Sequence, residues 1–494
     1  MGGHVRIEDV VRVGRFHEEV FLSEEARKRI ENSRTVVEEI VKSGKAVYGV
    51  NTGFGALASV RIGSDELDEL QRNIMLSHAV GTGEPLDEEI VRGMMFLRAV
   101  SLSKGFSGVR PVVVEKIVDI LNMGVFPYVP SMGSVGASGD LAPLAHTFLP
   151  LIGKGYVLEG GRKVKSYEVL RRKGIEPISL KEKEGLALVN GTQAMASILS
   201  FAVHDSLRLL NLAVEVFSIS FEALRGLRSA FDPRVHELRP HPGQIEVAKK
   251  VWDLTEGSGV ERDPSKVQDA YTLRTVPQVY GAVLDTMRYV EEVLEREINS
   301  VTDNPLIFPQ GDAISGGNFH GEPLALAADF LSIALTDLGN MIERRVDRIL
   351  NPKTSEGLPP FLAGGKEGLN SGYMLLQYTA AALCNENKVL SHPSSSDTIP
   401  TSAYQEDHVS MGMNAALKLR KILENVSTIL AVEAMVASRA LEIRGMDKAA
   451  PKVREIAEEF LGVMEMREGD DFFFEDFDRV KGRVFKKIRG EKLG

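Results

Sequence analysis
From residue 192 to residue 227 the sequence holds no proline and a single glycine, Gly226. Read as one helix, this stretch is roughly 50 Å long at about 1.5 Å per residue. Residues 277–299, 320–350, 373–390 and 405–443 have the same texture. Long helices separated by short polar loops predict a bundle. Many of them are apolar around much of their circumference, which puts them deep in a core or against other subunits.

The first part of the chain reads differently. Ser23 followed by Glu24 and Glu25 suits a helix start, and helical spacing of Ile30, Val36, Val37, Ile40 and Val41 runs up to Gly44. Residues 45–50 look like a short strand leading into the loop Asn51-Thr52-Gly53-Phe54-Gly55. A helix fits residues 87–102. Another starts at Pro111 and stops at Gly124, with proline inside the start and glycine past the end. Residues 153–185 alternate glycines with charged, strand-like pieces and predict a small β excursion. The expected division is therefore a mixed α+β N-terminal region over 1–190 and a long-helix bundle with a C-terminal helical region over 191–494. The acidic, aromatic tail 470–485 is expected to pack rather than act.

Composition removes several kinds of function. The net charge of −10 and a pI near 5.7 disfavour general attraction to nucleic acid or anionic membrane. The lone Cys384 allows no intramolecular disulfide, CxxC redox pair, cysteine-rich zinc site or iron–sulfur cluster. Met1-Gly2-Gly3-His4-Val5-Arg6 has no apolar segment of a secretory signal. Residues 324–338 carry Asp329 and Asp337, which predicts a buried helix rather than a membrane span. A soluble cytoplasmic protein is expected. His236-Glu237-Leu238-Arg239-Pro240-His241 only imitates a zinc motif: the spacing is one residue too long, and Pro240 would break the helix. No metal is expected.

The segment Gly133-Ser134-Val135-Gly136-Ala137-Ser138-Gly139-Asp140 is unusually rich in small residues. It is no phosphate loop, since Asp140 stands where Lys-Ser/Thr would be needed. Small side chains let the backbone fold on itself, so that the Gly139 nitrogen can attack the Ala137 carbonyl carbon. Loss of two waters, one from the Ser138 hydroxyl, leaves an imidazolone with an exposed methylene. That is a carbon electrophile, a function that ordinary side chains lack.

With the residues that follow, Leu141-Ala142-Pro143-Leu144-Ala145-His146, this segment resembles the signature of the aromatic amino-acid ammonia-lyases. Further similar stretches run through most of the chain: Tyr48-Gly49-Val50-Asn51-Thr52-Gly53-Phe54-Gly55, Leu188-Val189-Asn190-Gly191-Thr192, Gln268-Asp269-Ala270-Tyr271-Thr272-Leu273-Arg274, Gly316-Gly317-Asn318-Phe319-His320-Gly321 and Gln405-Glu406-Asp407-His408. Within the family, Ser77-His78 is similar to the pair in enzymes acting on histidine, where those acting on phenylalanine have an apolar pair. Glu406 likewise resembles the histidine-specific pattern. A carboxylate there can meet an imidazole or ammonium, whereas a hydrocarbon ring would not balance its desolvation.

The resemblance implies a mainly α, long-helix bundle of the fumarase/aspartase-like type, with the cofactor loop in the smaller N-terminal region. It implies a 4-methylidene-imidazol-5-one (MIO) formed autocatalytically from Ala137-Ser138-Gly139, with no metal or external cofactor. The implied reaction is non-oxidative elimination of ammonia from L-histidine to trans-urocanate, the first step of histidine degradation. Tyr48 would take the β-proton and Arg274 would hold the substrate carboxylate. Asn190, Gln268 and Tyr271 would hydrogen-bond the imidazolone carbonyl and the substrate. Phe319 would close over the site, and His78 and Glu406 would read the imidazole and amine. A homotetramer with sites shared between subunits is implied, without nucleic-acid or membrane partners. Sister activities of the same family, tyrosine or phenylalanine ammonia-lyase or aminomutase, remain open. The helical bundle also admits the lyases without MIO, but their Gly-Ser-Ser-x-Met-Pro loop is missing; Pro393-Ser394-Ser395-Ser396 is the nearest stretch.

Overall fold
Ser23 accepts a hydrogen bond from the Ala26 N–H at 3.2 Å and starts the helix Glu24–Ser43, which ends on Gly44 in the left-handed region. The same logic places Pro111 at the first position of Pro111–Asn122. These elements come from a computed structural model that describes residues 2–492 except 54, 56–58, 367 and 466–468. Phe54 thus lies outside the described residues. The fold is mainly α, with 60% helix and 5% strand.

The chain forms two compact units, each built from three segments: 1–204, 291–329 and 393–417 in the first, and 205–290, 330–392 and 418–494 in the second. The expected consecutive division at residue 190 is not the one observed. The long helices Gln193–Ala223, Val276–Ile298, Glu322–Leu350 and Gly412–Arg444 each contribute residues to both units, so the chain returns to the first unit twice.

In the first unit, Glu88–Ser103 is the central helix. Every residue from Ile90 to Ser103 is buried, including Arg92 and Arg98. It packs on Ile7–Gly14, Glu24–Ser43, Pro111–Asn122 and Leu141–Phe148. The expected β excursion is a hairpin of Tyr156–Glu159 with Arg162–Lys165, followed by the helices Ser166–Arg172 and Glu184–Val189. Two further antiparallel strand pairs are Thr82–Pro85 with Pro130–Met132 and Leu306–Ile307 with Ala313–Ile314.

Two local expectations fail for identifiable reasons. Residues 45–50 form a turn, not a strand: the Val47 N–H donates to Asn51 Oδ1 at 2.8 Å, and the Asn51 N–H returns to the Val47 carbonyl at 3.2 Å. The asparagine side chain thus supplies the partner that a neighbouring strand would have supplied. The helix expected from residue 405 starts only at Gly412. Ser402, Ala403, Tyr404 and Met411 have φ between 50° and 66°, a conformation that a right-handed helix of L-residues cannot propagate through.

In the second unit, Arg345 and Glu433 form a fully buried ion pair at 2.6 Å, with Tyr280 on the same guanidinium. Phe217, Phe221 and Phe231 cluster in the core, with ring centroids 5.3–5.9 Å apart. The aromatic tail packs only in part: Phe473 meets Tyr373 edge-on at 4.9 Å ahead of the helix Phe474–Arg489, while Phe472 and Phe474 are exposed. Glu322–Leu350 is long and apolar enough to cross a membrane by composition, but 67% of its apolar window is buried in the protein.

Candidate active site
The turn at residues 47–51 presents Tyr48 to a cavity of about 470 Å³ in the first unit. Ala137, Ser138, Asn190, Phe319 and Glu406 line the same cavity, with Gly55, Asn304, Ser315, Gly316, Gly317, His320, Gln405, Asp407 and His408. Ala137 is buried against Val409 and Met411.

Next to Ser138, Gly139 has φ +70° and lies against the backbone of Gly191; a Cβ there would stand 2.1 Å from the Gly191 oxygen. That oxygen also accepts the Asp140 N–H at 2.7 Å. Glycine is required at residue 139 both by conformation and by the closeness of the Gly191 segment. Asp140 is wholly buried; its carboxylate accepts from the Met195 N–H at 2.9 Å and from Ser134 Oγ at 3.0 Å. It thereby caps the start of Gln193–Ala223 from a remote segment. Burial pushes its pKa up to about 7 despite these donors.

Three polar contacts define the chemistry of the tripeptide. Asn190 Nδ2 donates to the Ser138 carbonyl oxygen at 3.0 Å, and Asn190 Oδ1 is buried with no partner among the described residues. Ser138 Oγ donates to Glu406 Oε1 at 2.9 Å, and Thr401 Oγ1 donates to Glu406 Oε2 at 2.6 Å. The serine hydroxyl is thus held by a carboxylate able to move a proton, and its carbonyl by a fixed amide donor.

Burial raises the pKa of Tyr48; the Gly55 N–H, 3.4 Å from the hydroxyl, works against this, and the charge of Glu406 raises it further. The tyrosine is therefore protonated at neutral pH. His78 ends the helix Leu67–His78, with Ser77 Oγ 3.0 Å from its Nδ1. Burial lowers its pKa, opposed by the Ile74 carbonyl and by Glu406. A neutral ring there can donate at one nitrogen and accept at the other.

Gln268, Tyr271 and Arg274 belong to the second unit. Gln268 is exposed and Tyr271 is 69% exposed. The Arg274 guanidinium lies 4.7 Å from the centre of the Tyr271 ring and donates from Nε to the Asp269 carbonyl at 2.9 Å.

His320 and His408 lie within the stretches Gly316–Gly321 and Gln405–His408, and the sequence alone assigns neither a role. Their rings stack at 5.6 Å. With Glu322 they bring three potential metal ligands within 4.8 Å of one another. However, His320 Nδ1 accepts the Glu322 N–H at 3.3 Å and Nε2 faces the His408 carbonyl at 3.3 Å, so both nitrogens of this ring are engaged. Asn304 and Ser315 carry no sequence signal that would have found them. His236 of the imitation zinc motif is buried, with Nε2 3.1 Å from the Ala230 carbonyl and Nδ1 3.0 Å from Gln244.

Known proteins are similar to this chain over nearly its whole length. A histidine ammonia-lyase of Caldanaerobacter subterraneus subsp. tengcongensis is 53% identical over 92% of this chain and 91% of its own. Among solved structures, a tyrosine aminomutase from Streptomyces globisporus superposes with a TM-score of 0.94 at 37% identity, covering 100% of this chain and 98% of its own. A histidine ammonia-lyase from Trypanosoma cruzi gives 0.91 at 39% identity, over 99% of this chain and 94% of its own. These neighbours have the long-helix, fumarase-like fold expected from the sequence. Residues 5–461 match the model of the aromatic amino acid lyases, and the chain belongs to that family.

Proposed function
We propose that the chain eliminates ammonia from L-histidine to give trans-urocanate, opening histidine degradation. The observation that carries the reading is the convergence of Tyr48, Asn190 and Glu406 on the Ala137-Ser138-Gly139 tripeptide. The 53% identity to a protein named histidine ammonia-lyase supports the choice of substrate. The tripeptide fits conversion to MIO: Gly139 is bent at φ +70°, the Ser138 hydroxyl meets a carboxylate, and Asn190 holds the carbonyl that the ring would retain. When formed, that group supplies a carbon electrophile for the substrate amine and makes it a better leaving group.

Every other task falls to side chains. Tyr48 accepts the β-proton, once the positive charge of the bound substrate offsets the carboxylate of Glu406 that disfavours its phenolate. Asn190 stabilises negative charge on the Ser138 carbonyl oxygen. His78, neutral at pH 7, and Glu406 read the imidazole and the amine. Phe319 covers the cavity. Arg274 pairs with the substrate carboxylate and fixes the α,β bond for elimination, with Gln268 and Tyr271 beside it. In this reading the second-unit residues of each site come from neighbouring chains of a cytoplasmic homotetramer, and no metal or external cofactor takes part.

The likeness to a tyrosine aminomutase favours one second reading, a sister activity on an aromatic amino acid. Measurement of kcat/KM for L-histidine, L-tyrosine and L-phenylalanine, with analysis for β-amino acids, separates the two. Histidine should lead by about 10⁴-fold or more, because a hydrocarbon ring leaves buried polar groups unpaired. Equal or better use of tyrosine, or a β-amino acid product, would overturn the histidine assignment.

A further inference from the structure
Beneath the Asn190–Gly191 turn, Arg98, Lys183 and Asp303 are all fully buried. Lys183 Nζ lies 2.8 Å from Asp303 Oδ2, and Arg98 Nη2 lies 3.9 Å from the same oxygen. Two basic side chains thus face one carboxylate, and burying a charged group is costly unless its donors are used. Burial lowers the Arg98 pKa to about 10, against the pull of Asp303, so the guanidinium stays charged at neutral pH.

Its donors explain the arrangement. Arg98 Nε donates to the Ala187 carbonyl at 2.7 Å, near the end of the helix Glu184–Val189. Nη1 donates to Gln193 Oε1 at 3.1 Å, at the first residue of Gln193–Ala223. One planar side chain therefore ties together both ends of the turn. A Cβ on Gly191 would stand 2.5 Å from Nη1, so the guanidinium also packs on the turn itself.

We infer that Arg98 is a positioning residue for closure of the Ala137–Gly139 ring, acting through the Asn190–Gly191 turn that it clamps at both ends. The inference rests on the MIO reading above. Closure forms a bond from the Gly139 nitrogen to the Ala137 carbonyl carbon. The Ala137 oxygen leaves as water with the Gly139 and Ser138 N–H hydrogens, and the Ser138 hydroxyl leaves as a second water with its α-hydrogen. Loss of that α-hydrogen puts negative charge on the Ser138 carbonyl oxygen, the atom that Asn190 holds at 3.0 Å. A turn free to shift by an ångström would lose both this donor and the backbone pressing on Gly139.

The test is intact mass of the folded fraction of the full chain, for wild type, Arg98→Met, Arg98→Lys and Gln193→Ala, with kcat and KM measured on each. Wild type should be lighter than its encoded mass by two waters, Arg98→Met should stay at its encoded mass, and Arg98→Lys should be a mixture of the two. Folded Arg98→Met lacking two waters, with unchanged kcat, would overturn the inference. Where Arg98→Met gives no folded protein, Gln193→Ala decides. Folded chains of mixed mass uphold the clamp, and complete water loss overturns it. Wild type at its full encoded mass would instead overturn the ring-closure reading on which the inference stands.

Discussion

The Ser138 hydroxyl has two partners in prospect, the carboxylate that now accepts its proton and the water it is proposed to become. Ser138→Ala keeps the carbonyl that Asn190 holds but has no hydroxyl to eliminate. It should fold with wild-type thermal stability, keep its encoded mass and lose activity by several orders of magnitude; intact mass and turnover check this together. Tyr48 gives a prediction about pH. A base acts in its deprotonated form, and burial with Glu406 nearby raises the pKa of this phenol, so kcat/KM should climb as pH rises above neutrality. Glu406→Gln removes the charge that raises it beyond the effect of burial. The ascending limb should then move to lower pH, even though maximal turnover falls; a pH profile of the variant with its limb unmoved would separate the two residues. Tyr48→Phe should abolish the limb and lower kcat by orders of magnitude. Residue identities made much of this site legible, because unusual chemistry demands unusual local composition, as in Gly133–Asp140. His320, His408, Asn304 and Ser315 were not assigned, because common residues line a cavity only through tertiary structure, which one sequence does not display.

Elements show the same contrast between local and distant causes. Ser23, Gly44, Pro111 and Gly124 mark helix ends that the structure repeats to within two residues, since caps act through bonds a few residues away. Residues 45–50 have strand-like composition but form a turn, because Asn51 takes up the backbone donor. Residues 405–411 look helical but form no helix, with Glu406 bridged to Thr401. In both places an element is given up where a side chain with a proposed role, Tyr48 or Glu406, lines a cavity. The contact of Gly139 with Gly191 also belongs to this scale. Gly139→Ala puts a methyl into the opposite backbone and an L-residue at φ +70°. The conformation alone should cost about 1–2 kcal/mol, and the separation of the two segments should block ring closure. A lower denaturation midpoint together with full encoded mass is expected. A folded variant that still loses two waters would mean that the two backbones need not touch.

Over the whole molecule, no single cut yields the two units, since each gathers three separated segments and long helices contribute to both. A change of texture near residue 190 is visible in the sequence, but the return of 291–329 and 393–417 to the first unit is not, because it depends on helix length and packing direction. Tyr48 belongs to one unit and Arg274 to the other, which gives the proposed shared sites a simple test. Inactive Tyr48→Phe and Arg274→Met proteins, unfolded together and reassembled, should recover up to about a quarter of wild-type activity if these residues of one site come from different chains of a symmetric oligomer. No recovery would mean that both come from one chain. The meeting of Gly139 with Gly191 has one more implication. It joins segments that lie far apart along the chain: Asn190 and Ser138 are separated by 52 positions, so a short peptide bearing the tripeptide lacks half of what bends it. On the proposed chemistry, the departure of two waters cannot be undone by unfolding. A chain that weighs light has therefore been native at least once, whatever its present state. Weighing the molecules in an aggregate or a denatured sample would sort those that fell from the native state from those that never reached it, a biography written into the mass of each chain.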